Sequence, residues 1–332
     1  MSLAATAPPA PLLQVDGLTT RFQVRRGLFG SDTSTVYAVE DVSFSIGAGE
    51  IVGLIGESGS GKSTVGRVIA RLERTVSGSI LFKGEDVLAF GGAALRRYRR
   101  QVQVIFQDPA ASLDPLMRVQ DLVGEPLRVH RIGDRHDRRD RVVRLLESVG
   151  LGADALRRYP REFSGGQRQR IGLARALAVG PRLLVADEPV SALDVSVQAQ
   201  VINLLQDLRR ELGLALLLIS HDLPTVEFLC DRVVVMYLGR VMEIAPAEDF
   251  QRAPLHPYSK MLVEDAPRFG GRLRRSVRNA VADAPRSPLP PAGCVFRTRC
   301  RHAIPDCGRI APLPESVSPG RFVACIRRDL FS

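Results

Sequence analysis

The chain has 332 residues, 45% hydrophobic and 25% charged, a balance typical of a globular protein with room for one large domain and an appendage. Its apolar runs, such as Leu214 to Ile219, fall far short of the roughly 20 residues that cross a bilayer as a helix, so a membrane-spanning subunit is excluded. The net charge of +10 comes from 46 basic residues of which only Lys62, Lys83 and Lys260 are lysines. So one-sided an arginine bias reads as codon usage, and the interleaved Asp and Arg of residues 135–144 as a solvated helix face; no nucleic-acid partner is expected.

Residues 1–11 lack the basic head and continuous apolar stretch of a signal peptide and are expected to be a disordered tail on a cytoplasmic protein. From 12 to about 250, short apolar runs alternate with helical patterns, which predicts an α/β core with parallel strands. Within it, residues 100–165 are Arg-rich and helical in period, and read as an inserted helical subdomain. Residues 251–332 form an extension of different texture: eleven of the 22 prolines lie between Pro254 and Pro319, and "APRSPLPP" (284–291) reads as an extended linker.

"EIVGLIGESGSGKSTVGRVIA" (50–70) runs from an apolar strand through a glycine-rich turn into a helix. Gly56, Gly61, Lys62 and Ser63 meet the G-x-x-x-x-G-K-[ST] pattern in that context. Small residues from Gly56 through Ser58, Gly59 and Ser60 let successive N–H groups curl around a phosphate, and the helix start at Lys62, Ser63 and Thr64 adds a favourable dipole. Lys62 is expected to bridge the β- and γ-phosphates, with the Ser63 hydroxyl on Mg²⁺. The partner motif is "PRLLVADEP" (181–189), a buried-strand pattern ending in two acids. Asp187 is placed to hold Mg²⁺ and Glu188, one residue on, to polarise the attacking water.

"FSGGQ" (163–167) supplies a second glycine turn at a helix start. Ser164 can cap the helix, while Gly165 and Gly166 allow the backbone to approach an anion. The chain's own nucleotide is already surrounded by Gly56 to Thr64, so this second anion site must serve another.

Together these motifs resemble the nucleotide-binding subunits of ABC transporters, over about residues 12–244. The resemblance implies a RecA-like P-loop core, an antiparallel β subdomain and an inserted helical subdomain. It also implies a head-to-tail pair of ATPase subunits, in which Ser164, Gly165, Gly166 and Gln167 of one chain close over the γ-phosphate held by the other. Phe163 stands where the family usually has Leu. Phe22, at the end of its strand, resembles the aromatic that stacks on adenine, with Tyr37 as the fallback. Gln107 resembles the glutamine touching Mg²⁺ and the lytic water, Asp194 the aspartate that meets the opposing subunit, and His221 the switch histidine at the γ-phosphate. The groove beside Gln107, residues 108–116, is where such subunits accept a short helix from the membrane partner.

"PLHPYSKML" (254–262) resembles the HPY element of the oligopeptide/dipeptide importer family. The segment 25–44 resembles an insert of the ATPase type usually paired with a non-identical sister. The family therefore implies an ATPase coupled to import of peptides, acting with a second ATPase subunit, two integral permeases and an extracytoplasmic solute-binding protein, at the cytoplasmic face of the membrane. A nickel importer of related architecture, or a soluble ABC ATPase acting on ribosomes or DNA, are the alternatives. The absence of a second cassette and of a heptad run weighs against the last. Cys294, Cys300, Cys307 and Cys325 are spaced C-x5-C-x6-C-x17-C, unlike the common zinc patterns. Relatives with this tail imply a [4Fe–4S] cluster, with zinc or reduced thiols as alternatives. Cys230 reads as a small core residue.

Overall fold

The computed structural model describes residues 10–26, 32–191, 193–266 and 292–330. The expected tail (residues 1–9 of it) and the linker at 284–291 lie outside them, as do residues 27–31 of the N-terminal insert.

The chain opens with two long strands, β1 (Leu13–Arg26) and β2 (Asp32–Ile46), then β3 (Ile51–Ile55) and α1 (Lys62–Ile69). After β4 (Ser77–Phe82) and β5 (Glu85–Asp86) come α2 (Gly92–Gln101) and β6 (Val102–Ile105). A helical stretch follows: α3 (Pro109–Ser112), α4 (Val119–Val129), α5 (Arg135–Ser148) and α6 (Gly165–Leu177). The chain then alternates β7 (Leu183–Asp187), α7 (Val195–Leu212), β8 (Ala215–Ser220) and α8 (Leu223–Leu229). It closes with β9 (Arg232–Tyr237), β10 (Arg240–Pro246), α9 (Ala247–Arg252), α10 (Pro257–Asp265), β11 (Glu315–Ser318) and β12 (Arg321–Val323).

The strands form two sheets, an antiparallel one in the order β2-β1-β4-β5 and an eight-stranded one in the order β11-β12-β10-β9-β3-β8-β7-β6. β9, β3, β8, β7 and β6 run parallel. Strands β3, β7 and β8 are buried at every residue, as expected of parallel strands covered on both faces, and their near-continuous apolar sequences follow from that. Alternation along β3 divides the core. Val52 and Leu54 face the cluster made with β1, β2, β4 and α1, whereas Ile51 and Ile55 face the cluster made with the helical stretch, α7 and α8.

The structure departs from the sequence reading in three places. β1 continues past Phe22, which pairs with Val36 inside the strand instead of ending it. Residues 102–105, assigned to the helical insert, form β6 and pair with β7 in the core sheet, so the helical stretch begins after them. The extension is not a separate irregular appendage: β11 and β12 continue the core sheet from β10, and Tyr258, Val295 and Phe296 belong to the same apolar cluster as β3 and α8. Proline density concealed that two short strands, two aromatics and a valine had edges and cavities of the cassette to fill.

Candidate active site

The open ends of parallel strands gather ligand-binding groups, because each loop leaving the sheet there emerges beside its neighbours. The phosphate loop follows β3, Asp187 and Glu188 end β7, His221 follows β8 and Gln107 lies two residues beyond β6. Pairing in the order β3-β8-β7-β6 thus brings together four segments separated by up to 165 residues.

Two glycines have no substitute in the phosphate loop. A Cβ on Gly56 (φ +148°) would stand 2.1 Å from the Met236 carbonyl oxygen, and one on Gly61 (φ +102°) 2.3 Å from that of Ala38. Ser58 and Gly59 lie exposed at the loop tip, while Ser60 and Lys62 are buried. Lys62 Nζ donates to the carbonyls of Gly56 and Glu57, both at 2.8 Å, and to Ser60 Oγ at 3.3 Å. Burial pulls its ammonium down from the usual lysine range, against the carboxylates of Glu188, Asp187 and Glu57, which raise it. Such a group gains from an anionic ligand, which favours its charged form.

Ser63 Oγ donates to Asp187 Oδ1 at 2.8 Å. Burial pushes the Asp187 carboxyl up, more than the Ser63 hydrogen bond and Arg67 bring it down. Glu188 adopts a left-handed backbone, φ +48°, a conformation uncommon outside glycine and concentrated at functional sites. Its backbone N–H donates to the Ile219 carbonyl at 2.9 Å. Its carboxylate then meets Gln107, whose Nε2 donates to Oε2 at 2.8 Å, and His221, whose Nδ1 lies 2.9 Å from Oε1. Thr64 is half-buried in the first turn of α1.

The second glycine turn lies at the surface. Ser164 caps α6, accepting from Gln167 N at 3.4 Å, while Gln167 Oε1 accepts from Ser164 N at 3.1 Å. Ser164, Gly165 and Gln167 are exposed. Gly166 is buried, and a Cβ there would stand 2.2 Å from Val197 Cγ1 of α7; its glycine serves helix packing, a role the sequence did not disclose. Phe163 is buried with the Arg158 guanidinium 4.2 Å from its ring centre. Asp194 is exposed and caps α7 through Val197 N at 3.0 Å. Phe22 and Tyr37 are both half-buried, and the Arg21 guanidinium lies 4.4 Å from the Tyr37 ring centre. Tyr37 precedes Ala38, the residue in contact with Gly61.

Cys294, Cys300, Cys307 and Cys325 line one small cavity of about 10 Å³ and carry no disulfide. Burial raises the thiols of Cys294, Cys300 and Cys325, while backbone N–H groups directed at the same sulfurs oppose it. Among the described residues no three His, Cys, Asp or Glu side chains gather closely enough to hold one metal ion. Cys230 is a core residue, with Sγ 2.9 Å from where a Gly53 Cβ would stand. Glu57 was missed in the sequence: its backbone N–H donates to Tyr258 Oη at 2.9 Å and its carboxylate pairs with Arg299. An acid inside an anion-binding loop was the signal that a cationic partner had to exist.

Fold and site together define a P-loop ATPase. The ABC transporter family matches over residues 39–191, and the oligopeptide/dipeptide transporter C-terminal region over residues 242–307. A putative peptide import ATP-binding protein of Brucella ovis is 49% identical over 320 residues, 96% of this chain and 99% of that one. The oligopeptide transport ATP-binding protein AppF of Bacillus subtilis is 45% identical over 95% of this chain and 96% of its own. Among solved structures, a dimeric ATP-binding cassette in a post-hydrolysis state with ADP and phosphate superposes with a TM-score of 0.63 at 28% identity, covering 71% of this chain and 98% of that one. The cbiO1 subunit of a Clostridium perfringens ABC transporter complex gives 0.62 at 26% identity, covering 74% and 92%. The chain belongs to the ATP-binding subunits of ABC transporters of the oligopeptide/dipeptide type. It is therefore an ATPase, and among its described residues no helix is long and apolar enough to cross a membrane.

Proposed function

We propose that this protein is the ATP-hydrolysing, energy-coupling subunit of an importer of di- and oligopeptides, bound peripherally at the cytoplasmic face of the membrane. The observation that carries this reading is the carboxylate of Glu188, held between Gln107 and His221 beside the phosphate loop, while the Ser164 helix end faces outward from the same chain. Such an arrangement holds the base in place but leaves the γ-phosphate side open for a second subunit.

In this reading Lys62 exchanges the carbonyls of Gly56 and Glu57 for β- and γ-phosphate oxygens, and the N–H groups from Ser58 to Thr64 enclose the β-phosphate. Ser63 and Asp187, joined by a 2.8 Å hydrogen bond, with Gln107 beyond the neighbouring strand, fit Mg²⁺, because a cation would favour the charged Asp187 carboxylate that burial disfavours. When bound, that ion neutralises developing charge on the phosphate oxygens. Glu188 accepts a proton from the attacking water, and His221 orients the carboxylate and reaches the γ-phosphate. Phe22, or Tyr37 in its place, stacks on adenine. Ser164, Gly165, Gly166 and Gln167 close over the nucleotide of a partner ATPase, a non-identical sister subunit, and Asp194 faces it. Loss of the γ-phosphate contacts separates the halves.

The cavity of about 270 Å³ lined by Phe106, Ser112, Gln169 and Arg175, at the groove of residues 108–116, receives a short helix of one integral permease, the partner ATPase subunit serves the other, and an extracytoplasmic binding protein supplies the permeases with peptide. The four C-terminal thiols hold a [4Fe–4S] cluster. Supporting this, all four line one cavity, and Cys294, Cys300 and Cys325 accept backbone N–H groups at sulfur, a common feature of such sites. The test is reconstitution of the complex with its permeases and binding protein in vesicles: ATP hydrolysis rising with added peptide supports the reading, and stimulation by nickel alone refutes it.

A further inference from the structure

We infer that the cysteine-bearing extension braces the phosphate loop, with Arg299 as a positioning residue for ATP. This rests on the nucleotide reading above but not on which group fills the cysteine cavity.

Glu57 is gripped at both ends. Arg299 donates to its two carboxylate oxygens at 2.7 and 2.9 Å, and its backbone N–H donates to Tyr258 Oη at 2.9 Å. Both partners come from beyond the cassette strands, 201 and 242 residues further along the chain. A bidentate guanidinium–carboxylate pair fixes orientation as well as distance. The pair is part-exposed, 26% for Arg299 and 41% for Glu57, so orientation matters more here than stability. Glu57 and Gly56 carry the two carbonyls that Lys62 takes. Holding Glu57 therefore holds the loop backbone and the ammonium that meets phosphate.

The brace stands on a rigid base. Phe296 lies 5.3 Å from both Tyr237 and Tyr258, which are 4.7 Å apart. Arg299 covers the Tyr237 and Phe296 rings at 5.6 and 5.9 Å. Its turn is closed by Cys294 N donating to the Cys307 carbonyl at 2.8 Å and Arg299 N to that of Phe296 at 3.0 Å. A Cβ on Gly293 would stand 2.4 Å from the Cys307 carbonyl oxygen, so the turn has no slack. Arg299 directly precedes Cys300, one of the residues that line the cysteine cavity.

The test is titration of the full chain with a non-hydrolysable ATP analogue and Mg²⁺. Binding by the unsubstituted chain tests the nucleotide reading by itself. Against that reference, Arg299→Ala is expected to weaken binding at least about fivefold by lowering the competent fraction of loop conformations, and Arg299→Lys by less. Glu57→Gln, which keeps the packing, gives the same shift as Arg299→Ala, and unfolding without nucleotide stays near the parent temperature. Tyr258→Phe, which removes only the hydroxyl that accepts from Glu57 N, weakens binding too, and the Arg299→Ala/Tyr258→Phe pair no more than the stronger single change. Unchanged affinity in Arg299→Ala, Glu57→Gln or Tyr258→Phe, or fully additive losses in the pair, would overturn the inference.

Discussion

His221 holds its Nδ1 2.9 Å from Oε1 of Glu188, and the two residues reach each other from the ends of neighbouring parallel strands. Glu188→Gln keeps the shape of the group and removes its basicity. Hydrolysis is expected to fall about 10²- to 10⁴-fold while ATP binding persists. His221→Ala, which frees the Glu188 carboxylate on one side and removes a γ-phosphate contact, lowers the rate more than it weakens ATP binding. Phosphate release and equilibrium nucleotide binding, measured side by side, check both.

Gly166 stands where α6 meets α7, with Val197 Cγ1 2.2 Å from its missing Cβ. Gly166→Ala overfills that contact and is expected to destabilise the chain by about 1–3 kcal/mol. Val197→Ala in the same chain restores most of the loss. Denaturant unfolding of the two single variants and the pair reads the coupling directly.

Burial pushes the His256 imidazole down from 6.5 to about 3. It caps α10 in the neutral form, Nδ1 accepting from Tyr258 N at 3.0 Å. Below 6.5 the unfolded chain takes up a proton that the folded chain refuses, so the unfolded state binds more protons. Stability is full above that value and falls as pH drops toward about 3, by at most about 1.4 kcal/mol per pH unit. His256→Asn keeps an acceptor at the cap and removes this part of the slope. Unfolding temperatures of both chains, compared at about pH 7.5 and about pH 5.5, measure the difference.

Four thiols around one cavity are expected to give anaerobically purified protein a brown colour and about four irons per chain. Cys300→Ser bleaches it. Colourless, iron-free protein prepared under the same conditions would remove the cluster.

The motifs were legible where chemistry constrains spacing. Gly56, Gly61, Lys62 and Ser63 must stand in fixed order to wrap a phosphate, and "LLVADE" shows both the buried strand and its acidic end. Their convergence was legible too, since apolar strands alternating with helices imply a parallel sheet whose loops meet at one end. Longer-range relations were not. β6 shares its Arg-rich surroundings with helices, and only its pairing to β7 marks it as a strand. The reach of Arg299 back to Glu57 leaves no local pattern, because a contact across 242 residues is set by the fold that separates them. The packing of Gly166 against Val197 was hidden because α7, its neighbour in space, begins some thirty residues later in sequence.

The central claim is that ATP joins two ATPase subunits through the Ser164 end of one and the phosphate loop of the other. Light scattering on the Glu188→Gln chain mixed with its partner ATPase subunit tests it most directly. Adding ATP and Mg²⁺ should raise the mass from that of single subunits to that of the pair, and Ser164→Arg should abolish the rise while leaving nucleotide binding by the single chain intact. A chain that binds ATP with no rise in mass, or a rise that Ser164→Arg leaves intact, would contradict it.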